Sequence, residues 1–459
     1  MSLIKTTSVF LAICANAFGR VTSRAPSGAA TMDLGTLTGQ ARFLGSGFIY
    51  GFPDNGTSID TSIPDYLVTD IKFHASRAGG AQIPAKGWVG GYEEYLGRFN
   101  SALSNYRTTR KFGGDFILLP HDLWGSDGSL GTGSPLPGDN GDWTSMEQFL
   151  RQVTNDIKAN GMLEGLVFDI WNEPELDLFW PRSWEQYLEY YVRAHRIIRE
   201  ELPGTLISGP SGAHAPAVDR STWDTWMATV SANDAIPDIY SWHQIGIWER
   251  DPDRTVADFH VLRTKHNLPE RPIDLNEYAW PDEQNPAGAV FYLSQLERHN
   301  LRGLRANWGG GSDLHNFLAD LVYENADGSY GPNGEWEVYK YYAQMTGERI
   351  STAASPDLLF DVFGTVEGGN VKVLAGTRVT QAPYEIKISG LSKFGLPVDG
   401  SIAVRSLRFD WAGRKTQVGG PVDLGTSVLT YSADTLVLLV DPPTNSTAFA
   451  YEFSVATSA

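Results

Sequence analysis

The sequence predicts an α/β chain, a (β/α)8 TIM barrel followed by a C-terminal antiparallel β-sandwich. Three observations carry this reading. Eight short, nearly continuous apolar runs alternate with stretches of helical period through the middle of the chain. Near Ile350 the pattern changes to alternating apolar and polar positions separated by Gly-, Pro- and Asp-rich turns. No glycine-rich phosphate fingerprint follows the first run, which speaks against a doubly wound open sheet.

Taken in order, the chain opens on Met1–Lys5 with one positive charge, an apolar run over Val9–Ala17, and the small-x-small triplet Ala15-Asn16-Ala17. That is the pattern of a secretory signal peptide over residues 1–17, too short to span a bilayer. A secreted, extracellular protein is expected. The single cysteine, Cys14, falls inside this segment. The mature chain then has no thiol for a disulfide, a nucleophile or a metal. Asn55-Gly56-Thr57 and Asn445-Ser446-Thr447 are N-glycosylation sequons, making Asn55 and Asn445 candidate acceptors. The segment 18–43 contains Met32–Phe43, which can add a strand or two to the sandwich.

The barrel is assigned to residues 44–349. Its strand candidates are Phe48–Gly51, Ile71–Ala75, Phe116–Leu119, Leu166–Trp171, Leu206–Gly209, Ile239–Trp242, Ile273–Asn276 and Leu304–Asn307. Continuous apolar runs are what strands covered on both faces require. Between them, Met146, Phe149, Leu150, Val153 and Ile157 follow helical spacing, as do Tyr187, Leu188, Tyr191, Val192, His195 and Ile198. Ser183, with Gln186 three residues on, is the expected cap of the second of these. Helices are also expected over Ser221–Val230, Ala257–His266 and Ala287–Asn300. Gly128–Gly141 reads as a long loop after the third strand. The sandwich is assigned to residues 350–459, with strands at Val371–Ala375, Tyr384–Ile388, Ile402–Phe409, Leu429–Ser432, Thr435–Val440 and Phe449–Val455. No polar linker separates it from the barrel, so it is expected to dock rigidly and to brace the barrel without touching substrate.

Composition narrows the partners. Of 459 residues, 36 are Lys or Arg and 54 Asp or Glu, a net charge of −18, or −18 − 1 = −19 once Lys5 is removed. Nucleic acid is a poor partner for such a chain, because phosphates demand basic patches. No apolar stretch suits a membrane span. Fourteen Trp and nineteen Tyr supply flat amphipathic rings, of a kind that suits sugar faces as well as a core. A monomer acting on carbohydrate is the expectation.

Active sites of parallel barrels gather at the C-terminal ends of the strands. The fourth strand candidate ends Phe168-Asp169-Ile170-Trp171-Asn172-Glu173-Pro174, and the seventh ends Asp274-Leu275-Asn276-Glu277-Tyr278. Each delivers a carboxylate, preceded by Asn, to the same mouth. Two facing carboxylates are the minimum apparatus of glycoside hydrolysis: one protonated to assist the leaving oxygen, one ionised to attack or to activate water. No His-Glu-x-x-His and no Gly-x-Ser-x-Gly elbow offers another chemistry, and neither metal nor cofactor is expected.

Trp171-Asn172-Glu173-Pro174 resembles the acid/base signature of the retaining glycoside hydrolases of clan A. With Ser241-Trp242-His243 and the C-terminal sandwich, the chain looks most like family 39, the family of β-xylosidases and α-L-iduronidases. The resemblance implies Glu173 as general acid/base, Glu277 as nucleophile through a covalent glycosyl-enzyme intermediate, Asn172 on the sugar hydroxyl beside the reacting carbon, and Arg77 holding the nucleophile ionised. His243 is expected on the acid/base or the substrate, and Tyr240 or Tyr278 near the nucleophile. His121 and Asp122 are candidates for sugar hydroxyls. Trp308 and Trp280, with Trp124, Trp180 and Trp248, are candidates for stacking on a sugar face. Asp169 is expected to point away from the mouth and to be structural, and His74 could join His121 and His243 in the mouth. The alternatives are a transglycosylase, or a non-catalytic carbohydrate-binding cell-wall protein on a hydrolase scaffold.

Overall fold

The computed structural model describes residues 24–129, 131–245 and 251–455; residues 1–17, expected to be a signal peptide, with Cys14, and Trp248 lie outside them. The chain opens on β1 (Ala29–Gln40), then enters the barrel strands β2 (Gly47–Ile49), β3 (Ala75–Ala78), β4 (Asp115–Leu118), β5 (Leu166–Asp169), β6 (Leu206–Gly212), β7 (Ile239–Gln244), β8 (Ile273–Tyr278) and β9 (Arg302–Arg305). All pair in parallel with their sequence neighbours, and β2 closes on β9. The helices are α1 (Tyr66–Thr69), α2 (Tyr92–Lys111), α3 (Pro120–Trp124), α4 (Thr144–Ala159), α5 (Trp184–Glu201), α6 (Ser221–Ala232), α7 (Pro252–Lys265), α8 (Pro286–His299) and α9 (Gly334–Tyr342). Ser183 caps α5, its Oγ accepting from the Gln186 N–H at 3.2 Å. No described helix is long and apolar enough to cross a membrane.

The short hairpin β10 (Val322–Glu324) and β11 (Tyr330–Pro332) precedes the sandwich strands β12 (Glu348–Ala353), β13 (Phe360–Glu367), β14 (Asn370–Thr377), β15 (Tyr384–Ser389), β16 (Gly400–Phe409), β17 (Val422–Tyr431), β18 (Thr435–Val440) and β19 (Ala448–Ser454). These and β1 form one nine-stranded sheet in the order β17-β16-β19-β14-β13-β12-β1-β15-β18. Its end strands β17 and β18 are joined by a tight turn, so the sheet curls over on itself into two layers. Ile350, Val362, Val373, Ile386, Leu438 and Phe453 pack between the layers. β1 runs antiparallel to β12 (Thr31 opposite Ala353) and parallel to β15 (Ala30 opposite Ile386).

Two sequence expectations shift. The second barrel strand is Ala75–Ala78 rather than Ile71–Ala75, because Ile71 and Phe73 pack in an apolar cluster outside the barrel interior. Helix α2 was not anticipated: its buried face carries Ser101, Ser104, Asn105, Thr108 and Thr109, so apolar periodicity is weak.

The barrel interior is layered. Ile49, Ala75, Ile117, Val167, Ile239 and Leu304 form an apolar plug. Side chains alternate along a strand, so two residues further on the same faces carry Arg77, Asp169 and Ser241, a polar layer one step nearer the mouth.

The sandwich docks on α8 and α9. Ala289, Val290 and Leu293 of α8 and Trp336 and Tyr339 of α9 share one apolar cluster with Phe363, Leu374, Leu407, Phe409 and Ala450 of the sandwich. A helix buried over most of its length, as α8 is, needs apolar partners on every side. Contact is close at Gly376, where a Cβ would sit 2.3 Å from the Ala287 carbonyl oxygen. Buried charge ties the same junction: Arg298 bridges Asp253 and Asp361, and Glu297 accepts from Tyr342 Oη at 2.5 Å and from Arg349 Nη1 at 3.2 Å.

Candidate active site

Glu173 reaches the mouth through a strained turn. β5 ends at Asp169, and the chain passes through Ile170, Trp171 and Asn172 to Glu173, whose φ is 43°. A non-glycine residue there costs about 1–3 kcal/mol and persists only where its surroundings impose it. Here the Glu173 N–H donates to the Ser211 carbonyl at 3.0 Å, and Trp171 is locked among Trp180 and Tyr190 with ring centroids 5.2 and 5.0 Å away. Glu277 comes from β8, with its side chain 15% exposed at the mouth.

One imidazole spans the two carboxyl groups. His243 Nδ1 lies 2.7 Å from Glu173 Oε1, and its Nε2 lies 3.6 Å from Glu277 Oε1. Arg77 Nη1 donates to Glu277 Oε1 at 2.8 Å, Nη2 to Asn172 Oδ1 at 2.8 Å, and Nε to Asp169 Oδ2 at 2.9 Å. Asp169 also accepts from Ser211 Oγ at 2.6 Å and from Asn276 Nδ2 at 3.1 Å. The expectation that Asp169 points away from the mouth is therefore wrong. It stands in the interior polar layer and fixes Arg77 from below.

Electrostatics separate the groups. Burial works against the Arg77 charge, but the carboxylates of Asp169 and Glu277 outweigh it and raise the guanidinium pKa. Burial raises the Glu277 carboxyl above its ordinary value, Glu173 adds to this, and His243 and Arg77 oppose it. Behind Glu173, burial pushes Glu175 up to about 7 despite the Ala213 N–H it accepts at 3.1 Å.

Other sequence candidates divide. His121 is buried beside the Trp171 and Phe179 rings, its Nε2 2.9 Å from Asp122 Oδ1 and its Nδ1 without a hydrogen-bond partner. Asp122 is not a sugar-facing group: it is 2% exposed and its two oxygens are occupied by His121 and Tyr50. Tyr50 in turn accepts from the Gly79 and Ala81 N–H groups. Trp280 and Trp308 meet edge to face, centroids 4.6 Å apart, and Trp280 is 44% exposed. Trp124 and Trp180 are core residues, their indole N–H groups satisfied by Pro135 and Ser183 carbonyls.

Neither tyrosine stands by Glu277. Tyr278 follows Glu277 on the opposite face of β8, and its hydroxyl is bound to the Gly45 carbonyl and Tyr339. Tyr240 reaches the Pro269 carbonyl. The ring beside Glu277 is instead that of His243, with its Nε2 3.6 Å from Oε1. His74 lies before β3, away from the mouth, against the Leu44 carbonyl, and burial drops its pKa to about 4. Asn55 and Asn445 are both exposed. Sequence reasoning missed Ser211 and gave Ser241 and Asn276, present in its motifs, no role; small polar residues at inward positions of otherwise apolar strands were the available signal.

No protein-family profile matches the chain. Over 436 residues, 82% of the chain, it is 22% identical to a 3-O-alpha-D-galactosyl-alpha-L-arabinofuranosidase of Bifidobacterium longum subsp. longum, and it spans about a third (36%) of that relative's length. The structure of N2152 from Neocallimastix frontalis superposes with a TM-score of 0.72 at 19% identity, covering 93% of this chain and 99% of that one. The glycoside hydrolase family 39 enzyme of Xanthomonas axonopodis pv. citri superposes with a TM-score of 0.56 at 15% identity, covering 95% and 99%. The fold is the one these structures share, the glycoside hydrolase family 39 enzyme among them. Within that fold, Glu173 and Glu277 stand at the ends of the fourth and seventh barrel strands.

Proposed function

We propose that the protein is a secreted, retaining O-glycoside hydrolase acting on a neutral oligo- or polysaccharide, with L-arabinofuranosyl-containing chains first among the substrates to try. The observation that carries this is the single imidazole of His243 in contact with both carboxyl groups while Arg77 is fixed on one of them. The arginine favours the ionised form of Glu277 and so marks it as the nucleophile. Glu173, held through His243, is the proton donor.

In the first step a Glu277 oxygen bonds to the anomeric carbon, the glycosidic C–O bond breaks, and Glu173 passes its proton to the leaving oxygen. In the second, Glu173 takes a proton from water, the water oxygen bonds to the anomeric carbon, and Glu277 is released. Asn172 has its Oδ1 committed to Arg77, which leaves its amide N–H groups as the donors for the neighbouring sugar hydroxyl. The substrate suggestion rests on the name of the curated relative and on the acidic surface, which disfavours polyanions. The test is a panel of aryl glycosides and arabino- and xylo-oligosaccharides, with the anomer of the first-formed product read by NMR. Retention of configuration is expected. An inverted product rules out the double displacement, and equal transfer to added acceptor sugars would favour transglycosylation.

A further inference from the structure

Between the loop after β8 and the sandwich lies a cleft of about 500 Å³, lined by Pro281, Asp282, Gln284 and Asn285 on the barrel side and by Trp411 and Arg414 on the sandwich side. Its volume falls in the range of about 300–1,000 Å³ usual for small-ligand sites. Its barrel wall is the loop that follows the Glu277 strand. Trp280, the exposed half of the tryptophan pair, is followed directly by Pro281. The Ala279 carbonyl, two residues past Glu277, accepts from Trp308 Nε1 at 3.0 Å and from Gln284 Nε2 at 3.5 Å, so one backbone group joins the mouth to the cleft. Ala279 itself holds a φ of 71°, and this left-handed turn swings the chain from β8 toward the sandwich.

The lining chemistry is that of a polyhydroxylated ligand. The Asp282 carboxylate, the Asn445 amide and the Arg414 guanidinium give donors and acceptors without a dominant sign of charge, which does not suit a phosphate; the Asn285 amide is spent on the Asp282 carbonyl and the Gly288 N–H, and Gln284 Nε2 on the Ala306 carbonyl. The indole of Trp411, only partly covered, offers an apolar face beside them. Gln284 is 1% exposed, and its Oε1 has no hydrogen-bond partner.

The walls are fixed in place beforehand. Arg378 of the sandwich reaches Glu283 at 2.5 Å, Asp251 at 2.6 Å and the Tyr292 hydroxyl at 3.3 Å. Glu283 in turn accepts from the Trp280 N–H at 2.7 Å, and the Ala287 N–H donates to the Ser446 carbonyl at 3.1 Å. A cleft already rigid loses little ordering entropy when it is filled.

We propose that this cleft is a distal carbohydrate subsite, in which Trp411 of the sandwich and Asp282 of the barrel loop hold the part of an oligosaccharide that extends past Trp280. The proposal rests on the glycosidase reading above, and it gives the sandwich a contact with substrate that the sequence did not suggest. It is tested with Trp411→Ala and Asp282→Ala in protein made without N-linked glycan, because Asn445 also lines the cleft. kcat/KM is measured on an aryl monoglycoside and on arabino-oligosaccharides of increasing length. The expected result is unchanged turnover of the aryl glycoside and a loss of about tenfold on the longer chains, carried by KM and growing with length. Oligosaccharide values within twofold of wild type in both variants would overturn the subsite, as would equal losses on short and long substrates. If the wild type cleaves no glycoside, the glycosidase reading is what fails. The cleft is then judged by calorimetric titration of the same oligosaccharides: saturable binding weakened about tenfold by Trp411→Ala supports it, and absence of binding overturns it.

Discussion

Two buried arginines organise this molecule, and they do opposite work. Arg77 in the barrel contacts Asp169 and Glu277; Arg378 at the junction contacts Asp251 and Glu283. Both guanidiniums are 1% exposed or less. At the junction the carboxylates are sealed, 3% and 5% exposed, and the Tyr292 hydroxyl and Trp280 N–H complete the shell. In the barrel Asp169 is sealed, but Glu277 keeps 15% of its side chain open to the mouth and shares an imidazole with a second carboxyl group. Burial and pairing alone do not separate a structural cluster from a reactive one. The open carboxylate and the strained turn that delivers its partner do.

The largest expected effect that would sharpen this contrast is at Glu277. Glu277→Gln is expected to lower kcat by on the order of 10⁴-fold or more on every substrate, with the melting temperature barely changed. Glu173→Gln is expected to lose about 10²–10⁴-fold on poor leaving groups and far less on an activated aryl glycoside. Equal losses on both substrate types would break the assignment of roles.

The junction should respond the other way. Arg378→Met leaves two buried carboxylates uncompensated and is expected to cost about 3–5 kcal/mol in denaturant unfolding. The folded fraction should keep its turnover of small aryl glycosides. A variant of wild-type stability would show that the junction cluster is not what holds the sandwich.

Arg77→Met is a subtler probe. Removing the cation raises the Glu277 pKa, and in the proposed mechanism the carboxylate form is the one that attacks. The acid limb of kcat/KM should therefore move to higher pH by about 1–3 units. An unmoved limb would show that Glu277 is ionised without help from Arg77.

The smallest effect is expected at Glu175. Its pKa is raised by burial from 4.5 to about 7 in the folded protein. The native state holds that proton where the unfolded chain has released it, so this contribution to stability is full below about pH 4.5 and is lost as pH rises through about 7. The slope approaches ~1.4 kcal/mol per pH unit inside that window. Glu175→Gln should flatten unfolding free energies measured across it; an unchanged slope would mean that the carboxyl titrates normally.

The sequence disclosed the barrel well, because strands covered on both faces must be apolar throughout, and seven of the eight runs fall on their strands. The exception is informative. Ala75–Ala78 is small and polar since it lines the interior and carries Arg77, while the greasier Ile71 and Phe73 beside it serve a different cluster. The two carboxylates were legible from strand position. Asp169 was misjudged although alternation places it correctly: it lies two residues after Val167 of the interior plug and four before Glu173, both even steps that keep it on the inward face. Tyr278 failed by the same rule: within β8, adjacent residues must face opposite ways, so Glu277 in the mouth puts Tyr278 outside it. The single curled sheet was not legible, since nothing in a strand's own residues says that β1 pairs on both edges.

That position of β1 also governs the order in which the molecule can be made. Thr31 pairs with Ala353, which the ribosome adds 353 − 31 = 322 residues later. At about 5–20 residues per second, the strand waits roughly 16–64 s with both edges bare. Its inward residues Ala30, Met32 and Leu34 are apolar, the composition of an edge that recruits other chains. The barrel can close during that interval, but the sheet cannot. Slowing synthesis should therefore raise aggregation of nascent chains, and holding β1 covered until residue 389 has emerged should suppress it.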